Sequence, residues 1–298
     1  MQIELLVGLT GTLVLAAAIV RGGTAIAVLA AHRRRIELEG RRTIETLREG
    51  GDPGSGHYSP SRHSQLVDVS ERLPSSNQEK TLRLVVAKRV IENEKGDICS
   101  FYLKAADDQP LPSYAPGQFL SFTFSVLEQQ VASRCYSLSR HPTEPQEFYR
   151  ISVKRLLPQP EDAADAMPGL VSNAMHDQLL EGMTLDAAPP SGTFCLDQIS
   201  QRPIVLIAGG VGLTPLLSML DWLAATESSR EIWLFLGVRN SQEHAFRNHL
   251  NLIGQSLPNL HQVVFYSQPT TVCRKGSDYD DAGYVTVDYM MHFLRARN

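Results

Sequence analysis

The hydrophobic pattern divides the chain into three unlike stretches. Residues 5–20, LLVGLTGTLVLAAAIV, carry no charge, and after Arg21-Gly22-Gly23 the apolar run resumes as TAIAVLAA and stops at His32-Arg33-Arg34-Arg35. Such a run predicts one membrane-spanning helix. No Lys or Arg precedes it and Glu4 stands in front of it, which argues against a cleaved signal peptide. The cations at 32–35, with Arg41 and Arg42, put the rest of the chain on the cytoplasmic side by the positive-inside rule. Arg21 near the midplane costs about 2.5–3.5 kcal/mol, so it snorkels, pairs with a partner helix, or ends a shorter span. Gly8, Thr12 and Ala16 form a stripe that permits helix association. The alternative for these residues is a buried core helix. Residues 33–49 read as a polar helix, and GGDPGSGHYSPSRHSQ (50–65) as a flexible linker.

From about 80 to 158 the pattern becomes short and alternating. TLRLVVAKRVI, ICSFYLKA, GQFLSFTF, RCYSLS and FYRISVKRL are separated by turn residues such as Asp107-Asp108 and Pro116-Gly117. Strands at this spacing predict an antiparallel barrel. A helix over about 172–181 follows, then two extended pieces, TLDAAP and GTFCL.

At residue 203 the period changes again. PIVLIAGG is continuous, apolar and closed by glycine, the pattern of a buried parallel strand. LTPLLSMLDWLAA and HAFRNHLNLI read as helices, alternating with strands EIWLFLGV and HQVVFYS, which makes a βαβαβ unit on a parallel sheet. The expected fold is therefore an N-terminal transmembrane helix (1–32), a cytoplasmic helix and linker (33–79), an antiparallel β-barrel domain (80–200) and an α/β parallel-sheet domain (201–298).

Composition removes several classes of function. With 298 residues, 43% hydrophobic and 20% charged, the chain has room for two globular cores. A formal net charge of −4 gives no reason to expect a nucleic-acid partner. Cys99, Cys135, Cys195 and Cys273 are far apart, with no CxxC, which argues against a disulfide framework, a zinc ribbon or an iron–sulfur domain. His57 and His63 lack the neighbours a metal site needs.

Three short stretches carry candidate chemistry. In RCYSLS, strand alternation puts Arg134 and Tyr136 on one face with Ser137 opposite. A cation that holds phosphate beside an aromatic that supports a flat ring suits a flavin nucleotide; a plain cation–aromatic pair on a surface strand is the alternative. In GGVGLTP, Gly209, Gly210 and Gly212 let a pyrophosphate approach the backbone, with Thr214 as helix N-cap and Pro215 in the first helical position. The stretch departs from the usual dinucleotide fingerprint, because Pro215 stands where a third glycine is expected. In GLVSNAMHD, Gly169 and Ser172 open a helix whose first turn can hold a second phosphate, unless the serine is only a cap. Arg239, in VRNSQEHAF after the second parallel strand, is placed to meet ribose or phosphate, unless it is a solvated loop residue.

In this order the motifs resemble those of the ferredoxin–NADP reductase superfamily, above all the reductase half of flavohaemoglobins and the reductase components of oxygenases. YRISVKR (149–155), GLVSNAMHD (169–177), PPSGTFCL (189–196), GGVGLTPLLSML (209–220) and VRNSQEHAF (238–246) carry the likeness, which covers about residues 80–292. The resemblance implies FAD as cofactor and NADH or NADPH as hydride donor. It implies that Arg134 binds the flavin diphosphate, that Tyr136 packs against the isoalloxazine and ribityl chain, and that Ser137 hydrogen-bonds near flavin N5. Tyr136 and Ser137 are thus the expected catalytic pair. Gly169 and Ser172 would contact the diphosphate, and Gly210, Gly212 and Thr214 would receive the dinucleotide. The implied protein partner is a separate redox protein that takes the electrons; membrane lipid as a partner follows instead from the N-terminal apolar segment.

No globin domain and no ferredoxin cysteine cluster accompanies these motifs, and the family's final Cys-Gly-Pro segment does not appear. Two expectations follow. One is a membrane-anchored NAD(P)H-dependent reductase, against the alternative of a tethered flavin-binding sensor or assembly subunit. The other is that VLIA of the first parallel strand forms an open apolar edge, left bare by truncation or covered by another polypeptide.

Overall fold

The computed structural model describes residues 4–9, 12–15, 81–126, 130–158 and 169–295, the first two segments as backbone only. Six strands build one antiparallel sheet: β3 (Leu82–Ile91), β4 (Ile98–Ala105), β5 (Phe119–Val126), β6 (Gln130–Ser137), β7 (Tyr149–Lys154) and β8 (Thr184–Ala187), in the order β6-β5-β8-β3-β4-β7. A bridge between Leu138 and Ile151, with Ser139 N–H donating to the Arg150 carbonyl at 2.8 Å, joins the two ends and closes a barrel. Alternation sets its interior. Leu84 and Val86 of β3, Leu120 and Phe122 of β5 and Tyr149, Ile151 and Val153 of β7 are all buried in one cluster. Helix α1 (Leu170–Gln178) packs Val171 and Met175 against the same cluster.

The second sheet orders β9 (Ile204–Gly209), β10 (Ile232–Val238), β11 (Leu260–Tyr266) and β12 (Asp281–Ala282) as β12-β11-β10-β9, all parallel. The inner strands β9 and β10 are buried on both faces, which is why they read as near-continuous apolar runs. Helices α2 (Leu213–Ala225) and α3 (Arg247–Ser256) cover one face, and α4 (Val287–Arg295) packs Met290, Phe293 and Leu294 on the other. Helix α2 is apolar almost all round because it also meets the barrel. The Ser218 hydroxyl donates to the Arg140 carbonyl at 2.6 Å, and Asp221 lies 3.8 Å from Arg150 of β7. A side chain at Gly117 of the barrel would stand 2.1 Å from the Phe194 carbonyl oxygen and 2.6 Å from Met219 of α2; its φ of +108° is also one that only glycine holds easily.

The extended piece GTFCL joins no sheet: Leu196 N–H donates to the Pro116 carbonyl at 3.0 Å, so the segment packs on the Pro116-Gly117 turn. Two expectations about elements are corrected. Helix α3 starts at Arg247, three residues after the expected start, because Phe246 takes a left-handed conformation and sends its N–H to the Glu92 carbonyl.

The larger correction concerns the N-terminus. Residues Glu4–Leu9 and Thr12–Leu15 are strands, β1 and β2, where a spanning helix was expected. β1 runs parallel to β9, pairing Glu4 with Ile204 through to Gly8 with Ala208, and β2 returns antiparallel beside β1. The VLIA edge is thus covered by the chain's own residues, and the sheet order is β12-β11-β10-β9-β1-β2. A short apolar run suits a buried parallel strand as well as a helix, and a vacant strand position supplies backbone partners that decide between them. The rest of the apolar segment, the expected polar helix and the linker lie outside the described residues. Among the described residues no helix is long and apolar enough to cross a membrane.

Candidate functional site

On β6 the register pairs Arg134 with Phe122, Tyr136 with Leu120 and Ser137 with Phe119 of β5. Arg134 and Tyr136 therefore share one face and Ser137 the other. Tyr136 is half-buried against Phe122, ring centroids 6.0 Å apart. Burial pushes its phenol up to about 12, with Arg134 pulling the other way, so at neutral pH it keeps its proton and can donate. Arg134 is exposed, and its Nη1 donates to the Ser133 carbonyl at 2.8 Å, one of the five donors that a guanidinium carries. Ser137 is half-buried at the end of β6, next to the Leu138 bridge that closes the barrel.

Helix α1 begins beside Leu156, which lies two residues past the end of β7. Gly169 is its N-cap and donates to the Leu156 carbonyl at 2.8 Å. Ser172 stands in the first turn and is not the cap. Its hydroxyl donates to the Gly169 carbonyl at 3.3 Å and accepts from Leu156 N–H at 3.3 Å, tying the helix start to the strand end. The first N–H groups of a helix have no intrahelical partner, so this corner presents donors to an anion.

At the other sheet the strands end in one line, with Gly209 level with Gly237, and Val238 level with Tyr266. This brings three loops to one edge: 209–215, 239–246 and 267–273. Gly210 has φ of +52°, which allows β9 to turn directly into a short 3-10 turn and α2. Gly212, not Thr214, is the N-cap of α2. Thr214 is buried and its hydroxyl donates to the Val211 carbonyl at 3.1 Å, while Pro215 lies in the first turn with no N–H to satisfy. A Cβ built at Gly209 or Gly210 meets no atom within 4 Å. The space above the turn is open where a pyrophosphate would approach backbone N–H groups. The change of direction in the strand order falls beside β9, which is where parallel α/β sheets bind nucleotides.

Arg239 lies at this edge, with Glu243 Oε1 3.9 Å from its Nε. Arg247 donates to Asp278 at 2.6 Å. Sequence reading missed the groups that join the two halves. Arg150 of β7 is buried, donates to the Ser139 carbonyl and hydroxyl, and faces both Asp221 and the Phe246 ring. His249 of α3 meets the far oxygen of Asp221 at 2.6 Å. Glu243 reaches across to Lys95 and Lys154 of the barrel. The one readable signal was Arg150, a charge between apolar neighbours in a core strand. Among the described residues no group of His, Cys, Asp and Glu could hold a metal.

Comparison with known proteins agrees with this layout. The family model for the oxidoreductase NAD-binding domain matches residues 206–297. A flavohemoprotein from Rhodopirellula baltica is 40% identical over 207 residues, 69% of this chain and 49% of that protein. One from Bordetella pertussis is 41% identical over 193 residues, 64% of this chain and 46% of its own. The chain thus spans about half the length of the curated relatives it matches. Among solved structures, the FAD/NAD binding domain of nitric oxide dioxygenase from Vibrio cholerae superposes with a TM-score of 0.58 at 24% identity, covering 72% of this chain and 91% of that one. The cytochrome b5 reductase domain of Ulva prolifera nitrate reductase gives 0.58 at 20% identity, covering 74% and 84%. Barrel, glycine turn and sequence likeness converge: the chain belongs to the ferredoxin–NADP reductase family, related to the reductase half of the flavohaemoglobins.

Proposed function

We propose that the chain is a NAD(P)H-dependent flavoprotein reductase that passes electrons to a separate redox protein. The observation that carries this reading is the pairing of an open glycine turn at the end of β9 with an outward arginine and a half-buried tyrosine on β6. The first suits a dinucleotide pyrophosphate and the second a flavin, so the residues present fit both groups. Bound FAD would supply the redox chemistry, accepting hydride from nicotinamide C4 at flavin N5 and releasing electrons singly. The protein's own contribution is binding and alignment. Arg134 and the first turn of α1, with Gly169 and Ser172, hold phosphate charge. Tyr136 supports the ring system, and Ser137 offers a hydroxyl to the reacting edge. Gly209, Gly210, Gly212, Thr214 and Pro215 shape the dinucleotide turn, and Arg239 reaches its ribose. No side-chain acid or base is needed for the hydride step.

NADH is the preferred donor in this reading. Arg247 pairs with Asp278 and Arg239 has Glu243 as its neighbour at 3.9 Å, so among the described residues this edge presents no cluster of cations lacking carboxylate neighbours for a 2′-phosphate. Anaerobic titration of the purified protein tests both points. Flavin absorbance should bleach with NADH at lower concentration than with NADPH. A yellow protein that NADH leaves unbleached would favour the sensor reading instead, and tighter NADPH binding would overturn the preference.

Attachment to the membrane, with the reductase on the cytoplasmic side, rests on the apolar content of residues 16–31 and the cations at 32–35, since the residues before them are taken up by β1 and β2. Membrane fractions washed at alkaline pH should keep the protein if the helix forms; complete release would refute the anchor.

A further inference from the structure

The loop that follows β10 does not stand alone at the nucleotide edge. Glu243, in the short turn Ser241–Glu243, accepts from Lys95 Nζ at 2.7 Å and from Lys154 Nζ at 2.9 Å. Lys95 lies in the turn between β3 and β4, and Lys154 is the last residue of β7. Asp97, itself buried, meets the same two ammonium groups at 3.3 and 3.9 Å. Two carboxylates and two ammonium groups therefore meet across the boundary between the halves. Two backbone bonds run beside them: Lys95 N–H to the Gln242 carbonyl at 3.1 Å, and Phe246 N–H to the Glu92 carbonyl at 3.2 Å. Phe246 then places its ring under the Arg150 guanidinium, 5.5 Å from the centroid.

We infer that Glu243 is a positioning residue, which clasps loop 239–246 to the barrel through Lys95 and Lys154 and so fixes where a dinucleotide at the β9–β10 edge lies relative to a ring on β6. This rests on the reductase reading above. Three features support it. Glu243 is the single loop carboxylate that both lysines share, and only about an eighth of its side chain is exposed, at 12%. Burial alone would raise its pKa, but the bonds from Lys95 and Lys154 outweigh that and hold it below the ordinary carboxylate value. Removing the charge leaves two ammonium groups facing one carboxylate, so the loop loses its attraction to the barrel while the folded halves keep their own cores. The loop also carries Arg239, so its position is passed to the nucleotide edge. Hydride transfer is steep in distance, and a displacement near 1 Å costs roughly a hundred-fold in rate.

Hydrogen exchange of the full-length protein, measured with and without Glu243→Gln, reads the clasp without any turnover. The amides of Lys95 and Phe246 should exchange roughly ten-fold faster in the variant, equivalent to about 1.4 kcal/mol, while amides of β4 and β5 stay unchanged. The Lys95→Arg/Lys154→Arg double variant keeps both charges and should exchange like the parent. Rapid-mixing reduction by saturating NADH should then fall at least ten-fold in Glu243→Gln, with KM nearly unchanged. Parent-like exchange in Glu243→Gln overturns the clasp. So does a change confined to KM or to NADPH affinity, which would show that Glu243 acts only on the charge of Arg239. If NADH fails to reduce the parent itself, the reductase reading falls, and the exchange result alone decides the clasp.

Discussion

Arg134 and Ser137 lie three residues apart on β6, yet their loss should have different consequences. Arg134 is exposed, so Arg134→Ala should weaken flavin affinity roughly ten-fold, the lower end of what a bond to a charged group is worth, and lower the flavin content after purification. Ser137 sits at the strand end beside the barrel closure, so Ser137→Ala should keep its flavin and slow reduction by NADH. Flavin content after purification and the reduction rate separate the two; unchanged occupancy in the first, or an unchanged rate in the second, contradicts the assignment. His244 supplies a pH test. It is buried, its Nδ1 meets the Tyr266 hydroxyl at 2.9 Å, and its Nε2 has no partner. Burial, helped by Arg247, lowers its pKa to about 4. The unfolded chain therefore binds more protons between about pH 6.5 and pH 4, so stability rises with pH across that window, and is lost as the pH is lowered through it, by up to about 1.4 kcal/mol per unit. His244→Asn should flatten the profile between those limits, read by denaturant unfolding; an unchanged slope would mean that the imidazole does not titrate as its burial requires. The shared face of Arg134 and Tyr136 was legible because strand alternation alone predicts it. Glu243, Asp221 and His249 were not, because their partners Lys95, Lys154 and Arg150 are distant in sequence and only the docking of two sheets brings them together.

At the scale of elements, periodicity served best where burial was one-sided or complete. β4 begins and ends where alternation predicted, and α2 spans the expected LTPLLSMLDWLAA. It served worst where one residue's conformation decides a boundary, as at Phe246, and where an apolar run suits two elements. Residues 5–15 are the plainest case. Their composition matches a membrane helix, and strands β1 and β2 owe their form to the vacant position beside β9. Deleting residues 1–15 should therefore strip one edge of the parallel sheet. Amides of β9 between Val205 and Ala208 should exchange faster and the protein should associate through the bared edge, since unpaired strand edges template further pairing. A monodisperse deletion variant with parent-like exchange along β9 would show that β1 contributes nothing to the sheet.

At the scale of the whole molecule, the proposed function requires barrel and parallel sheet to be docked so that a nicotinamide held at the β9–β10 edge meets a flavin held on β6. The docking is itself built in, through Glu243 with Lys95 and Lys154, through Asp221 with Arg150, and through the close approach at Gly117. Neither half does the chemistry alone in this account. Hydride must pass directly between the two bound rings without exchange into water. Reduction of the full-length protein by NADH carrying deuterium on the transferred C4 position, followed anaerobically by flavin absorbance, tests this most directly. The account predicts a single fast phase that is slower with deuterium than with protium and is matched one-for-one by NAD formation. Reduction at the same rate with either isotope, or no reduction of a flavin that is demonstrably bound, would contradict it.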